Sequence, residues 1–134
     1  MLFGQCYGGP ATITYAARHP ERVSHLILDG TYASGAKITS PARQERILDT
    51  LRALPEAGVL LMQHYTHPNP VISRFREFQR DQAAEAVRSD MVVKLYELGF
   101  TFEVTDELAK ITAPTLVLHR QDTIAIPLRL GREV

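Results

Sequence analysis

The sequence predicts an α/β fold, in which helices pack on a small parallel β-sheet. Two short apolar runs, residues 26–28 and 115–118, are nearly continuous, which is the pattern of a strand buried on both faces of a parallel sheet. Between them, apolar residues recur at the spacing of a helix. Strands that alternate with helical segments are typical of the α/β class.

The N-terminal part is predicted to form one strand–helix–strand unit. Residues 1–3 form an apolar stub that runs into Gly4, so they are interpreted as the end of a strand whose beginning is missing. A short helix is predicted over residues 10–18, and it ends before Pro20 because proline disfavours α geometry in the residue that precedes it. The next strand is predicted at residues 23–28, which completes a right-handed βαβ unit.

The middle of the chain is predicted to be helical. Three helices are expected to begin near Ser40, Asn69 and Asp81, where residues favoured at helix N-termini precede apolar residues at helical spacing. Gly99 is predicted to end the third helix. The strand after Pro114 then returns the chain to the sheet. We therefore expect a single, incomplete domain with a core in residues 1–35, a helical insertion in residues 36–105 and a second core segment in residues 106–134.

Composition excludes several classes of partner. Lys plus Arg and Asp plus Glu number 15 each, so the formal net charge is zero and no positive field favours nucleic acid or an anionic membrane. The single cysteine cannot form an internal disulfide, and a lone thiol fits a reducing compartment. The apolar runs are too short to span a bilayer, and no signal-peptide pattern opens the chain. We expect a cytoplasmic protein with neither a nucleic-acid nor a membrane partner.

The pentapeptide from Gly4 to Gly8 has the form Gly-x-nucleophile-x-Gly between a predicted strand and a predicted helix. In such an elbow the nucleophile, here Cys6, lies in a strained turn, and small flanking residues let strand and helix approach. Gly4 and Gly8 are predicted to be these small positions, and Gly9 adds room. A helix N-terminus favours the thiolate over the thiol. The backbone N–H of Tyr7 is then a candidate donor of an oxyanion hole.

These segments together resemble the α/β-hydrolase fold family. The resemblance covers the two ends of the chain, where it implies a nucleophile elbow with its helix and next strand, and later a strand followed by the loop of the catalytic acid. The helical middle takes the place of the family's variable cap. More narrowly, the combination is similar to α/β-hydrolase domains that lie beside signalling or regulatory domains in bacteria, which implies a fusion to such a domain. The segments that carry the likeness are residues 2–9, 15–23, 26–28, 113–119 and 126–127.

Two features of the site depart from the family's usual pattern. Most members use serine in the elbow, whereas this chain has Cys6; dienelactone hydrolases and polyester synthases have cysteine there, which suits lactone or acyl-transfer chemistry. The family's acid usually lies four residues after the position of His119, and Thr123 occupies that place. Asp122, one residue earlier, is the candidate acid if the loop slips, and Asp29, at the end of the preceding strand, is the alternative.

The resemblance also places the catalytic histidine after a further strand, and this chain stops before it. We therefore expect a fragment that lacks the N-terminal strands and the histidine loop. None of the five histidines is a strong substitute. His19 and His25 are interpreted as surface or strand residues, His64 and His67 as a weak metal-ligand pair, and His119 as a loop-packing residue more often than a base. No metal site and no cofactor are implied.

The resulting hypothesis is a hydrolase or acyltransferase that acts on an ester, lactone or thioester of a small molecule. Cys6 attacks the carbonyl, Tyr7 N–H holds the oxyanion, and Asp122 or Asp29 orients the missing histidine, so the fragment alone is expected to be inactive. The alternative is a ligand-binding or regulatory module that keeps the fold without the chemistry. Cys6 would then be a small buried residue, and the two aspartates would be turn residues. A third alternative is a broken chain that does not fold alone.

Overall fold

The computed structural model describes residues 1–54, 89–123 and 125–134. The predicted helix starts near Asn69 and Asp81, and the pair His64 and His67, lie outside these residues. The strands are β1 (Leu2–Gln5), β2 (Leu26–Asp29) and β3 (Thr115–Leu118), and the α-helices are α1 (Gly8–Arg18), α2 (Pro41–Ala53), α3 (Ser89–Thr101), α4 (Thr105–Leu108) and α5 (Leu128–Gly131). Two 3₁₀ turns cover Pro20–Arg22 and Gly35–Lys37.

The three strands form a parallel sheet in the order β1-β2-β3. Leu26 and Leu28 are buried on one face of β2, where they form a core cluster with Ile13 and Ala16 of α1. Val23 joins the same cluster. This arrangement confirms the predicted α/β class and its parallel pairing.

The register of the strands places the site at one edge of the sheet. Gln5 pairs with Asp29, and Asp29 pairs with Leu118, so the last residues of all three strands lie side by side. Cys6 follows Gln5 directly. The carboxyl ends of parallel strands are the usual place for a site in an α/β sheet.

The described chain divides into two compact units. The first unit combines Met1–Ile38 with Gly99–Val134, and it contains the whole sheet. The second unit is Thr39–Leu98. Within it, Arg52 of α2 donates to Glu97 of α3 at 2.9 Å. The cap role of residues 36–105 stays a prediction. Among the described residues, no helix is long and apolar enough to cross a membrane.

A short antiparallel contact joins two segments of the first unit that are distant in sequence. We call it the neck; it consists of residues 33–35 and 102–104. Ser34 and Glu103 form a β-bridge at its centre. The flanking backbone bonds run from Gly35 N–H to the Phe102 oxygen at 2.7 Å and from Val104 N–H to the Ala33 oxygen at 2.9 Å. The neck therefore holds together the two ends of the segment between Gly35 and Phe102.

The side chain of Glu103 also supports the neck. The hydroxyls of Ser34 and Thr105 both donate to its carboxylate, and these bonds, in that order, hold the pKa of Glu103 below its ordinary value. Because the charged form makes the bonds, their stabilisation is present above the pKa of the unfolded chain and disappears as the pH falls through the lowered folded pKa. Glu103 is largely exposed, so water screens the effect.

We expect Glu103→Gln to destabilise the chain at about pH 7 by less than about 1 kcal/mol. The difference between variant and wild type should shrink between pH 7 and about pH 3, because the wild-type carboxyl loses its charge as the pH falls through its lowered pKa. Urea unfolding at both pH values measures this difference. Glu21→Gln, in the exposed turn Pro20–Arg22, is the matched control, and an equal effect of Glu103→Gln at both pH values would contradict the account.

Helix α3 continues through Gly99 to Thr101, so the predicted end of this helix at Gly99 is wrong. A Cβ atom at Gly99 would lie 2.1 Å from the Tyr7 ring. In addition, the hydroxyl of Tyr32 donates to the Gly99 oxygen at 2.9 Å. Glycine is needed here because Gly99 lies against the Tyr7 ring, and not because the helix stops.

Candidate active site

The elbow places Cys6 between the end of β1 and the start of α1. Its φ is +47°, and it is the one non-glycine residue with a positive φ in the described part of the chain. The left-handed region costs an L-residue roughly 1–2 kcal/mol. Residues held in such a conformation cluster at functional sites, where the surrounding structure offsets the strain.

Three hydrogen bonds hold the Cys6 backbone in this conformation. Its N–H donates to the Asp29 oxygen at 3.1 Å, and its carbonyl accepts from the Gly9 N–H at 3.1 Å. The same carbonyl accepts a second bond from the Thr31 hydroxyl at 2.9 Å. Thr31 is only 1% exposed, so this bond is shielded from water. The sequence interpretation missed Thr31, because a single threonine after a strand has no distinctive pattern.

The close approaches around the elbow occur at Gly4 and Gly9. A Cβ atom at Gly4 would lie 2.6 Å from the Thr12 hydroxyl oxygen, and one at Gly9 would lie 1.6 Å from the Thr31 hydroxyl oxygen. A Cβ atom at Gly8 would meet nothing within 4 Å. The predicted close contact at Gly8 is therefore wrong, and Gly9, which lies against Thr31, is the second position at the elbow that requires glycine.

The Cys6 thiol is half-buried. Burial raises the pKa of this thiol, and the negative charge of Asp29 raises it further. The expectation that the helix N-terminus would make Cys6 a thiolate is thus opposed by two local effects, loss of water and a neighbouring carboxylate. Both effects favour the neutral thiol over the thiolate.

The two candidate acids have different surroundings. Asp29 ends β2 beside the elbow, and its carboxylate accepts a hydrogen bond from the Gln5 side-chain amide at 3.0 Å. Asp122 lies in the turn after β3, where both carboxylate oxygens are 3.3 Å from Arg120. Its side chain is 72% exposed. The structure brings Asp29, and not Asp122, into electrostatic contact with Cys6.

Tyr7 follows Cys6 and directly precedes α1. Its ring packs edge-on against Tyr32, with the ring centroids 6.1 Å apart and the planes at 85°. Tyr32 is fully buried, and burial, followed by the charge of an ionised Cys6, raises its pKa. These contacts hold the Tyr7 ring against α3 at Gly99. The role of Tyr7 N–H in an oxyanion hole stays a prediction.

The described histidines have contacts away from the elbow. The Nε2 of His119 lies 2.8 Å from the Ile126 oxygen, so it carries the proton, because a carbonyl oxygen can only accept. The Nδ1 of His119 is buried without a hydrogen-bond partner among the described residues. His19 faces Glu21 at 3.8 Å, and His25 is exposed. Within the described ranges, no group of three or more His, Cys, Asp or Glu residues is arranged to hold a metal ion.

The charge of Asp29 leads to a prediction about the reactivity of the thiol. Asp29→Asn should lower the pKa of Cys6 and so raise its rate of alkylation by iodoacetamide near neutral pH, because asparagine removes the negative charge and can still accept from Gln5. Burial is the larger cause of the raised pKa, so a part of the shift should remain. The rate is measured against pH by mass spectrometry, and the chain has a single cysteine to follow.

Asp122→Asn is the matched control, since that carboxylate is exposed and paired with Arg120. It should leave the pH profile of alkylation unchanged. An unchanged profile in Asp29→Asn would show that the carboxylate does not act on the thiol.

Comparison with known proteins agrees with this architecture. No protein-family model matches the chain. Among solved structures, the chain is similar to MGS-M2, an alpha/beta hydrolase enzyme from a Medee basin deep-sea metagenome library, with a TM-score of 0.68 and 21% sequence identity. The match covers 98% of this chain and 50% of that enzyme, so the chain spans about half the length of the enzyme. The parallel sheet, its helices and this likeness together show that the chain has the α/β-hydrolase fold over the part that it spans.

Proposed function

We propose that this chain is the nucleophile-bearing part of an acyl hydrolase or acyltransferase, and that Cys6 attacks an ester, lactone or thioester of a small molecule. The observation that carries the proposal is the left-handed Cys6 at the strand-to-helix elbow. A cysteine with a merely structural role gains nothing from a conformation that costs roughly 1–2 kcal/mol. A nucleophile gains exposure at the edge of the sheet and a neighbouring helix N-terminus.

In the proposed reaction the Cys6 sulfur forms a bond to the carbonyl carbon of the substrate. The π electrons of the carbonyl move to its oxygen, where Tyr7 N–H donates a hydrogen bond. When the carbonyl re-forms, the bond to the alkoxide or thiolate leaving group breaks. The leaving group takes the proton that the thiol released. The product is a thioester on Cys6, which water or an acceptor alcohol or thiol then attacks.

Asp29 is the carboxylate that the surroundings of Cys6 favour as the acid of the proposed site. It lies at the same sheet edge, and the Gln5 amide fixes one of its oxygens. Asp122 would first have to leave Arg120 and its exposed turn. In either case the carboxylate would orient a histidine that acts as the base, as in a catalytic triad.

The proposal does not assign a base to the described histidines. His119 is held by Ile126 and His19 faces Glu21. We therefore expect this chain to accept one acyl group on Cys6 but to release it slowly, so that no steady-state turnover follows. The cytoplasmic location, the small-molecule acyl substrate and the fusion to a signalling or regulatory domain remain parts of the proposal.

Intact mass spectrometry after incubation with a β-lactone and an activated thioester tests this function. The lactone should add its whole mass, because ring opening keeps the leaving alkoxide on the acyl chain, and the thioester should add the acyl group alone. Cys6→Ala should abolish both adducts. Cys6→Ser should still form the lactone adduct, more slowly, because the elbow presents a hydroxyl in the same place. Labelling that persists in Cys6→Ala would refute the proposal.

The raised pKa of Cys6 favours a second candidate, a ligand-binding or regulatory module without chemistry. Such a module would keep the thiol neutral at its working pH. It should bind a small ligand with no acyl adduct across the same reagents. Measurable acylation of Cys6, at a rate above that of the unfolded chain, would exclude this candidate.

A further inference from the structure

Thr31 contacts the backbone of the elbow through its side chain. It follows β2 by two residues, and its hydroxyl donates to the Cys6 carbonyl at 2.9 Å. Among the bonds that hold the Cys6 backbone, this is the one that comes from a side chain. Thr31 is buried next to Gly9, where a Cβ atom would collide with its hydroxyl oxygen. The Thr31 hydroxyl is therefore held between Gly9 and the Cys6 carbonyl.

The Cys6 carbonyl and the Tyr7 N–H belong to the same peptide group. That group is planar, and in the trans form its C=O and N–H point in opposite directions. The chain has no cis peptide bond in its described part. A group that fixes the direction of the Cys6 carbonyl consequently fixes the direction of the Tyr7 N–H.

We propose that Thr31 is a positioning residue that orients the Cys6–Tyr7 peptide and thereby directs the Tyr7 N–H at the developing oxyanion. The inference rests on the proposed acyl chemistry at Cys6. The Gly9 N–H, which donates to the same carbonyl at 3.1 Å, supplies the second anchor. Two donors on one carbonyl hold the peptide plane more firmly than one, and an oxyanion hole depends on donors that are in place before the reaction.

The proposed role of Thr31 predicts different effects on two reactions of the Cys6 thiol. Acylation by a thioester passes through an oxyanion and should depend on the direction of Tyr7 N–H. Alkylation by iodoacetamide displaces iodide directly, so its charge develops on the leaving group and no oxyanion hole is needed. The ratio of the two rates therefore reports peptide orientation, whereas the thiol's pKa and exposure affect both rates alike.

The test measures both rates on the single cysteine of the full chain in wild type, Thr31→Val and Thr31→Ser. Valine removes the hydroxyl and keeps the shape, and serine keeps the hydroxyl. We expect Thr31→Val to lower the acylation rate by about 10- to 100-fold and the alkylation rate by less than about threefold. Thr31→Ser should restore the ratio to near its wild-type value. Thermal melts confirm that each variant is folded, and Thr31→Ala removes the same hydroxyl if the valine variant does not fold.

Thr12→Val is the matched control. The Thr12 hydroxyl donates to the Gly8 oxygen at 2.8 Å, so this change also removes a bond from a threonine hydroxyl to a backbone carbonyl, but it leaves the Cys6 carbonyl untouched. It should leave the ratio unchanged. A Thr31→Val chain whose two rates fall together, or not at all, would overturn the inference. A wild-type chain that is alkylated but never acylated would instead show that the proposed function is wrong.

Discussion

Gly9→Ala is expected to destabilise the chain by at least about 3 kcal/mol and to abolish acylation of Cys6. The new Cβ atom would lie 1.6 Å from the Thr31 hydroxyl oxygen and 2.4 Å from the Thr31 Cβ. Thr31 is buried and bonded to Cys6, so it has no room to withdraw. Either the helix moves away from β2 or Thr31 releases the elbow. Urea unfolding and the acylation rate measure the two effects.

The matched control is Gly8→Ala, one residue earlier in the same helix. Gly8 is exposed and a Cβ atom there meets nothing within 4 Å. Alanine is the better helix former by up to about 1 kcal/mol, so this variant should be as stable as wild type or slightly more so. If the two variants behaved alike, the described contact between Gly9 and Thr31 would be wrong.

Gly99→Ala is expected to cost about 1–3 kcal/mol, because its Cβ atom would lie 2.1 Å and 2.5 Å from two atoms of the Tyr7 ring. The ring cannot easily turn aside, since it packs against the buried Tyr32. Displacement of Tyr7 should also slow acylation of Cys6. Urea unfolding of the single variant measures the first effect, and the mass-spectrometric rate measures the second.

A double-mutant cycle with Tyr7→Ala isolates this contact. The three nearest atoms to a Cβ atom at Gly99 all belong to the Tyr7 ring, so in the Tyr7→Ala background Gly99→Ala should lose most of its cost. It should then stabilise the helix by up to about 1 kcal/mol, as alanine does in place of glycine. The same destabilisation in both backgrounds would contradict the close contact between Gly99 and the Tyr7 ring.

The parts of the fold that could be predicted are those specified by local pattern. The strand at residues 115–118 and the start of the helix that follows Ser40 appear where they were predicted, because an apolar run after proline and a helix that opens at Ser-Pro are strong local signals. The elbow was predictable for the same reason. The spacing of glycines around Cys6 indicated a sharp turn before α1, and the structure has one there, with φ of +47° at Cys6.

The errors concern glycines whose role depends on a distant partner. Gly99 was predicted to end a helix, as glycine often does, but it is required by the Tyr7 ring. Gly8 was predicted to be a close contact, whereas Gly9 has that role because Thr31 lies against it. Neither partner is near in sequence, so local rules could not separate a glycine that ends an element from one that permits close packing.

The ionisation state of Cys6 could not be predicted from the sequence either. The helix N-terminus predicted a thiolate, but burial and Asp29 raise the pKa of the thiol. Burial is the larger of the two causes, and the register of β1 and β2 adds the second by placing Asp29 beside the elbow. The same register places Asp29, and not Asp122, next to Cys6, so the assignment of Asp29 as the acid stays a proposal. Thr31 and the neck contact of Glu103 were not predicted, since both depend on tertiary contacts.

The most direct test of the central claim compares acylation of Cys6 in the folded chain with acylation in the chain unfolded by guanidinium. Each thioester rate is divided by the iodoacetamide rate of the same state, which removes differences in thiol pKa and exposure. If the elbow presents Cys6 as a nucleophile with an oxyanion donor beside it, the ratio should be at least about tenfold higher in the folded chain. An equal or lower ratio in the folded chain would contradict the account and would leave Cys6 as a packed thiol at a strained turn.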